Sequence, residues 1–216
     1  MHHFDSSPPL ACGRPYVRVS KLKKWLNSET DFRGDKTTQT TRLLEYAYRN
    51  WDNVTPIDRS TLFQDGNPCI LVFVILLTMD WGWLVHCFHS IHFSDAKLPI
   101  DLATLRTTFS EMADRRILKR SDPSPEVLAD LFNRNQWQFC PARFNGGYDE
   151  YWVKDRIIPI HKKVLISDKG GTAKLWQIAV LEEFIGKKLQ QIVPHARYDD
   201  KKDDLGPVSK IASDIF

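Results

Sequence analysis

The chain has 216 residues, a net charge of +3 from 30 basic and 27 acidic residues, and 42% hydrophobic content. That composition excludes a disordered chain and leaves room for one good core or two small ones. The two signs of charge are interspersed, so the sequence offers no strong field for nucleic acid or an anionic membrane surface.

Residues 1–15 read as a flexible leader, broken by Pro8, Pro9, Gly13 and Pro15. No basic stretch followed by an apolar run opens the chain, and the four cysteines show no C-x-x-C spacing. They are expected to be reduced thiols in a cytoplasmic protein. A helical region is predicted over 16–138. Its first helix covers Val17 to Leu26, with Val17, Leu22, Trp25 and Leu26 inward. Ser28 to Thr38 reads as a polar turn, and Thr41 to Trp51 as a second helix.

Cys69 to Phe88 is the most apolar segment, and its stretch to Met79 is uncharged. A spanning helix needs about 20 such residues, and Asp80 and Gly82 interrupt this run, so a buried core helix is expected and no membrane span. Leu102 to Ile117 has Leu102, Leu105, Phe109 and Met112 at helical spacing. In Ser124-Pro125-Glu126, serine suits an N-cap, proline the first helical position and glutamate the first turn. A helix to Gln136 follows, with Val127, Leu128, Leu131 and Phe132 expected inward.

After Gln138 the pattern turns extended. A β-hairpin element is predicted over 139–185, with Ile157-Ile158-Pro159-Ile160, Val164-Leu165-Ile166 and Leu175 to Val180 as its apolar runs. The remaining 186–216 read as a mobile charged tail. The expected fold class is α+β: a mainly helical N-terminal region followed by a small antiparallel β element.

His86-Cys87-x-His89-x-x-His92 is the one metal-like cluster, but its spacing is loose, and the helix C-terminus explains the imidazoles without a metal. Trp81-Gly82-Trp83 lies among aliphatic residues and reads as core. No catalytic serine or carboxylate constellation can be assembled, so no catalytic residue and no metal ligand are assigned.

Two segments, NQWQFCPARF and RIIPIHKKVLISDKGGTAKLWQIAVLEEFIGKKL, together with SKLKKWL, NPCILVFVILL and SDAKLPIDL, resemble the N-terminal region of filamentous-fungal serine/threonine protein kinase-like proteins. The resemblance covers most of residues 16–200. It implies that Val164–Ile166 and Leu175–Val180 are the first two strands of a kinase N-lobe, with a glycine-rich loop between them. Such a loop uses glycine because a backbone without side chains can lie close over phosphates. Here the three glycine positions fall on Asp168, Gly170 and Ala173, with Gly171 out of phase. Gly170, Gly171 and Lys174 are the nucleotide-binding candidates that the resemblance implies, and Lys210 is the nearest candidate for the lysine of a third strand. Pro207 argues against a central strand there. The H-R-D, D-F-G and A-P-E motifs do not occur in the sequence.

These readings lead to two expectations. One is a non-catalytic interaction or regulatory module without a cofactor. It would take a protein partner, or dimerise through an unpaired strand edge, with Leu175, Trp176 and Ile178 as its apolar patch. The alternative is a fragment of an ATP-binding kinase or pseudokinase, with ATP and Mg as ligands.

Overall fold

The computed structural model describes residues 14–32, 34–51, 54–119, 122–145, 154–170, 173–191 and 208–215; for 32, 35, 162, 167–170, 173–176 and 208–215 it describes the backbone alone. The fold is α+β. The chain divides into two compact units, one of Arg18–Phe139 and one of Met1–Val17 with Cys140–Phe216.

The first unit is largely helical. In α1 (Val19–Leu26), Leu22 and Leu26 are buried while Lys21 and Lys24 are exposed, but Trp25, expected inward with them, is 36% exposed. The stretch read as a polar turn is a hairpin instead: β1 (Glu29–Phe32) pairs antiparallel with β2 (Asp35–Thr38). Gly34 at φ +87° supplies the left-handed step between them. Thr38 ends that hairpin and caps α2 (Gln39–Tyr48), its hydroxyl accepting from the Thr41 N–H at 3.3 Å. Asp58 does the same for α3 (Arg59–Leu62), accepting from Thr61 at 2.7 Å.

The apolar segment is not one helix. α4 (Ile70–Thr78) is buried at every position from Ile70 to Leu76, so it has no polar face to show. It stops after nine residues, far short of a bilayer. Among the described residues no helix is long and apolar enough to cross a membrane. A 3-10 turn at Gly82–Leu84 and α5 (Val85–Ser90) follow. α6 (Leu102–Asp114) and α7 (Pro125–Gln136) complete the unit, and Ser124 caps α7 by accepting from Val127. Phe88, Phe109 and Phe132 come together at its centre, with ring centroids 5.5–6.5 Å apart and none of the three exposed. Val127, expected inward, is 48% exposed. The buried stripe of α7 runs instead through Leu128, Ala129, Phe132 and Gln136.

Three of these helices end in the same way. Asp80, His92 and Arg116 follow α4, α5 and α6 in the left-handed region, at φ +63°, +55° and +59°. In each case the next residue returns an N–H to a carbonyl five residues back: Trp81 to Leu76, Phe93 to Phe88 and Ile117 to Met112, at 2.9–3.0 Å. The left-handed residue itself bonds the carbonyl three residues back. This is the Schellman arrangement, in which glycine usually takes the left-handed position. Here a side chain occupies it all three times.

The second unit holds a three-stranded antiparallel sheet in the order β3 (Ile160–Gly170), β4 (Ala173–Leu181), β5 (Val208–Ile215). The sequence reading of two strands followed by a mobile tail misses β5, which pairs with β4 from Lys174↔Ile215 to Leu181↔Val208. A two-stranded ribbon is marginal alone, and the third strand satisfies the second edge of β4. A 3-10 turn at Glu182–Phe184 leads from β4 to the short α8 (Lys187–Gln190). Tyr16 from the start of the chain sets its ring edge-on to Phe184 at 5.1 Å. Phe144 ties the same region by accepting from the Gly186 N–H at 2.7 Å and donating to Phe184 at 2.8 Å.

Candidate interaction edge

The β3–β4 hairpin changes character along its length. At its base, Ile178, Ala179, Val180 and Leu181 are all buried, as is Ile160 across from Val180. Successive strand residues point to opposite faces, so the base is covered on both. Towards the turn the reverse holds. Val164, Leu165 and Ile166 are 43%, 41% and 53% exposed. Three consecutive apolar residues stand in solvent where a strand with one covered face would hide every second one.

Backbone irregularity accompanies this change. Leu165 pairs with Trp176, and the next pair is Ser167↔Leu175, so Ile166 has no counterpart on β4. Two further shifts, near Ile160 and before Gly170, also fall on β3. Each inserts a residue into one strand of the pair, the mark of a β-bulge. Among the described residues β3 has a strand neighbour on one side only.

Of the expected apolar patch of Leu175, Trp176 and Ile178, one residue drops out. Ile178 is 2% exposed and belongs to the buried base, because the sheet is covered there on both faces. The side chains of Leu175 and Trp176 lie outside the described residues. Among the described side chains of the hairpin, the exposed apolar ones are on β3.

The nucleotide candidates are placed as follows. Gly170 ends β3 and pairs with Ala173, which opens β4, so Gly171 and Thr172 alone connect the strands. Gly171 is outside the described residues. Lys174 sits at the turn end of β4, opposite Ile215, and Lys210 lies opposite Ala179. The strand rise sets these two positions roughly 17 Å apart along β4. Among the described residues Lys210 is on an edge strand, a position where a nearby proline is tolerated. The sheet does not bring it to the glycine turn.

Within the histidine and cysteine cluster, His86 and Cys87 make local hydrogen bonds. His86 Nδ1 lies 2.6 Å from the Trp83 carbonyl. A carbonyl only accepts, so Nδ1 carries the proton, and in the neutral ring Nε2 is free to accept from the Cys87 thiol at 3.2 Å. Burial pushes the Cys87 thiol up to about 11 and that of Cys69 likewise, the opposite of an activated nucleophile. Among the described residues no group of three or more His, Cys, Asp or Glu side chains could hold a metal ion. A pocket beside Cys87, Thr108, Glu111 and Arg115 encloses about 20 Å³, room for about one water. Trp83 is core, as expected, stacked on Trp51 at 3.6 Å.

Sequence reasoning found Val164-Leu165-Ile166 as a strand but not as a surface, because a short apolar run is ordinarily read as buried. Its flanking charges, Lys162, Lys163, Asp168 and Lys169, were the available signal. Comparisons with family models, with curated proteins and with solved structures found no match.

Proposed function

We propose that the chain is a non-catalytic protein-interaction module that takes an extended segment of a partner protein along the outer edge of β3. The observation that carries this reading is the exposure of Val164, Leu165 and Ile166 on a strand paired on one side only among the described residues. An open edge supplies unpaired main-chain donors and acceptors, and exposed apolar side chains on it supply the contact area. The buried base makes the hairpin a firm mount for that edge. The resemblance to the region that precedes a fungal kinase domain suits such a role, since that region would act by holding a partner or regulator rather than by phosphoryl transfer.

A random peptide library panned on the full chain tests the reading, with affinities of the enriched peptides measured by fluorescence anisotropy. The expected ligands alternate apolar and polar residues and bind with micromolar affinity. Val164→Lys and Ile166→Lys should each weaken them about tenfold, the loss of one well-packed apolar contact. Failure to enrich any peptide, or equal binding by the two variants, rejects the module.

A further inference from the structure

The charge pattern of β3 identifies an occupant for its own edge. Reading outward from Leu165, the strand is nearly self-complementary: Val164 and Ile166 on either side, then Lys163 and Ser167, then Lys162 and Asp168. We infer that β3 pairs antiparallel with β3 of a second copy, about a twofold axis through Leu165. This inference rests on the interaction reading above and names the partner for that same edge.

In this register Leu165 meets Leu165, and each Val164 meets an Ile166. Each Lys162 lies across from Asp168 of the other copy, so the two flanking positions carry opposite charges twice over. Cross-strand apolar pairs and opposite-charge pairs both stabilise an antiparallel ladder, and like charges directly opposite oppose it. Neighbouring registers lack this match. With the axis through Ile166, Val164 faces Asp168 and Lys163 faces Lys169. With the axis through Val164, Lys163 faces Leu165 and Lys162 faces Ile166.

Two features limit the affinity. The contact is short, well below the area of a stable dimer interface. The bulge at Ile166 bends the ladder within the paired span, and bulges are one way edges are kept from pairing. The dimer is accordingly transient, with a dissociation constant on the order of 10–100 µM.

Sedimentation velocity on the full chain tests this, from about 1 to about 500 µM. The expected result is a monomer–dimer equilibrium in that range. Lys162→Asp and Asp168→Lys should each raise the dissociation constant about tenfold, since each sets like charges opposite each other twice. The double exchange, K162D with D168K, restores opposite charges in the proposed register and should restore the dimer. Circular dichroism confirms that each variant is folded, and recovery in the double exchange cannot come from misfolding. A monomer at every concentration overturns the inference and means that the bulges blunt the edge. Dimers insensitive to both single exchanges, or not recovered by the double one, assign association to another surface or register and overturn it equally. Peptide panning judges the broader reading separately: a monomer that still binds peptides loses the self-pairing alone.

Discussion

Phe93 folds back onto Phe88 across the left-handed His92. Its N–H bonds the Phe88 carbonyl at 2.9 Å, and the two rings meet nearly edge-on with centroids 5.6 Å apart. The hydrogen bond and the apolar contact together close the helix end. The same closure at Asp80 and Arg116 places three non-glycine residues in a backbone region that costs an L-residue about 1–2 kcal/mol. Glycine at the exposed Asp80 or Arg116 removes that strain while adding some unfolded-state entropy. Asp80→Gly and Arg116→Gly should each stabilise the fold by about 0.5–1 kcal/mol in urea denaturation. A loss of stability in both would mean that the side chains offset their own strain.

Asp95 closes the other end of α4. Its Oδ1 accepts from the Leu71 and Val72 N–H groups at 2.8 and 3.2 Å, while its buried Oδ2 has no hydrogen-bond partner among the described residues. Burial pushes its carboxyl up to about 6, against the opposing pull of those N–H groups and of Lys23. The folded state therefore binds a proton more tightly than the unfolded chain. Stability from this group is greatest at low pH and falls as pH rises through the interval from its ordinary 3.8 to about 6, by at most roughly 3 kcal/mol. The melting temperature should rise on acidification from pH 7 to pH 5. Asp95→Asn should flatten that dependence while keeping the cap acceptor. An identical pH profile in the variant would assign the effect elsewhere.

Gln136 has no exposure and clamps one residue from both sides. Its Oε1 accepts from the Ile100 N–H at 2.7 Å, and its Nε2 donates to the Ile100 carbonyl at 2.8 Å. Alanine leaves two buried backbone groups unpaired, each costing about 1–3 kcal/mol. Gln136→Ala should lose about 3 kcal/mol or more in chemical denaturation, and a change under 1 kcal/mol would mean that water replaces the amide.

Gly82 sits where a Cβ would come 2.6 Å from Leu77 Cδ2 and 3.0 Å from Ala47 Cβ. Gly82→Ala should therefore destabilise by about 1–2 kcal/mol despite its smaller backbone entropy loss. An unchanged melting temperature would show that Leu77 swings clear.

The separation of Lys210 from the glycine turn along β4 bears on nucleotide binding. Millimolar MgATP should leave the melting temperature of the full chain unchanged. A rise of several degrees would favour the ATP-binding alternative, because a ligand of the native state stabilises it.

The sequence was most legible where local chemistry and tertiary packing agree. Ser124-Pro125-Glu126 announced α7 to the residue, and the spacing of Leu105, Phe109 and Met112 announced the buried face of α6. The breaks after α4 and α5 were harder to place, because Asp80 and His92 stand where glycine would have marked the C-terminus. The β1–β2 hairpin was hidden in polar residues, whose pairing depends on register rather than on an apolar alternation. For β5, tertiary pairing with β4 overrides a tail whose charges suggested no structure. The exposure of Val164, Leu165 and Ile166 depends on which end of the hairpin is covered, and periodicity does not encode that.

The sheet order has a consequence for synthesis. β4 is the middle strand, yet its second neighbour, β5, comes from the far end of the known sequence, with Glu182 to Pro207 intervening. At ribosomal elongation rates that interval lasts roughly one to five seconds. During it the second edge of the nascent sheet is β4 itself, with its buried base residues, rather than β5. A chaperone, or another nascent copy on the same message, would meet the β4 edge before β5 arrives to close it.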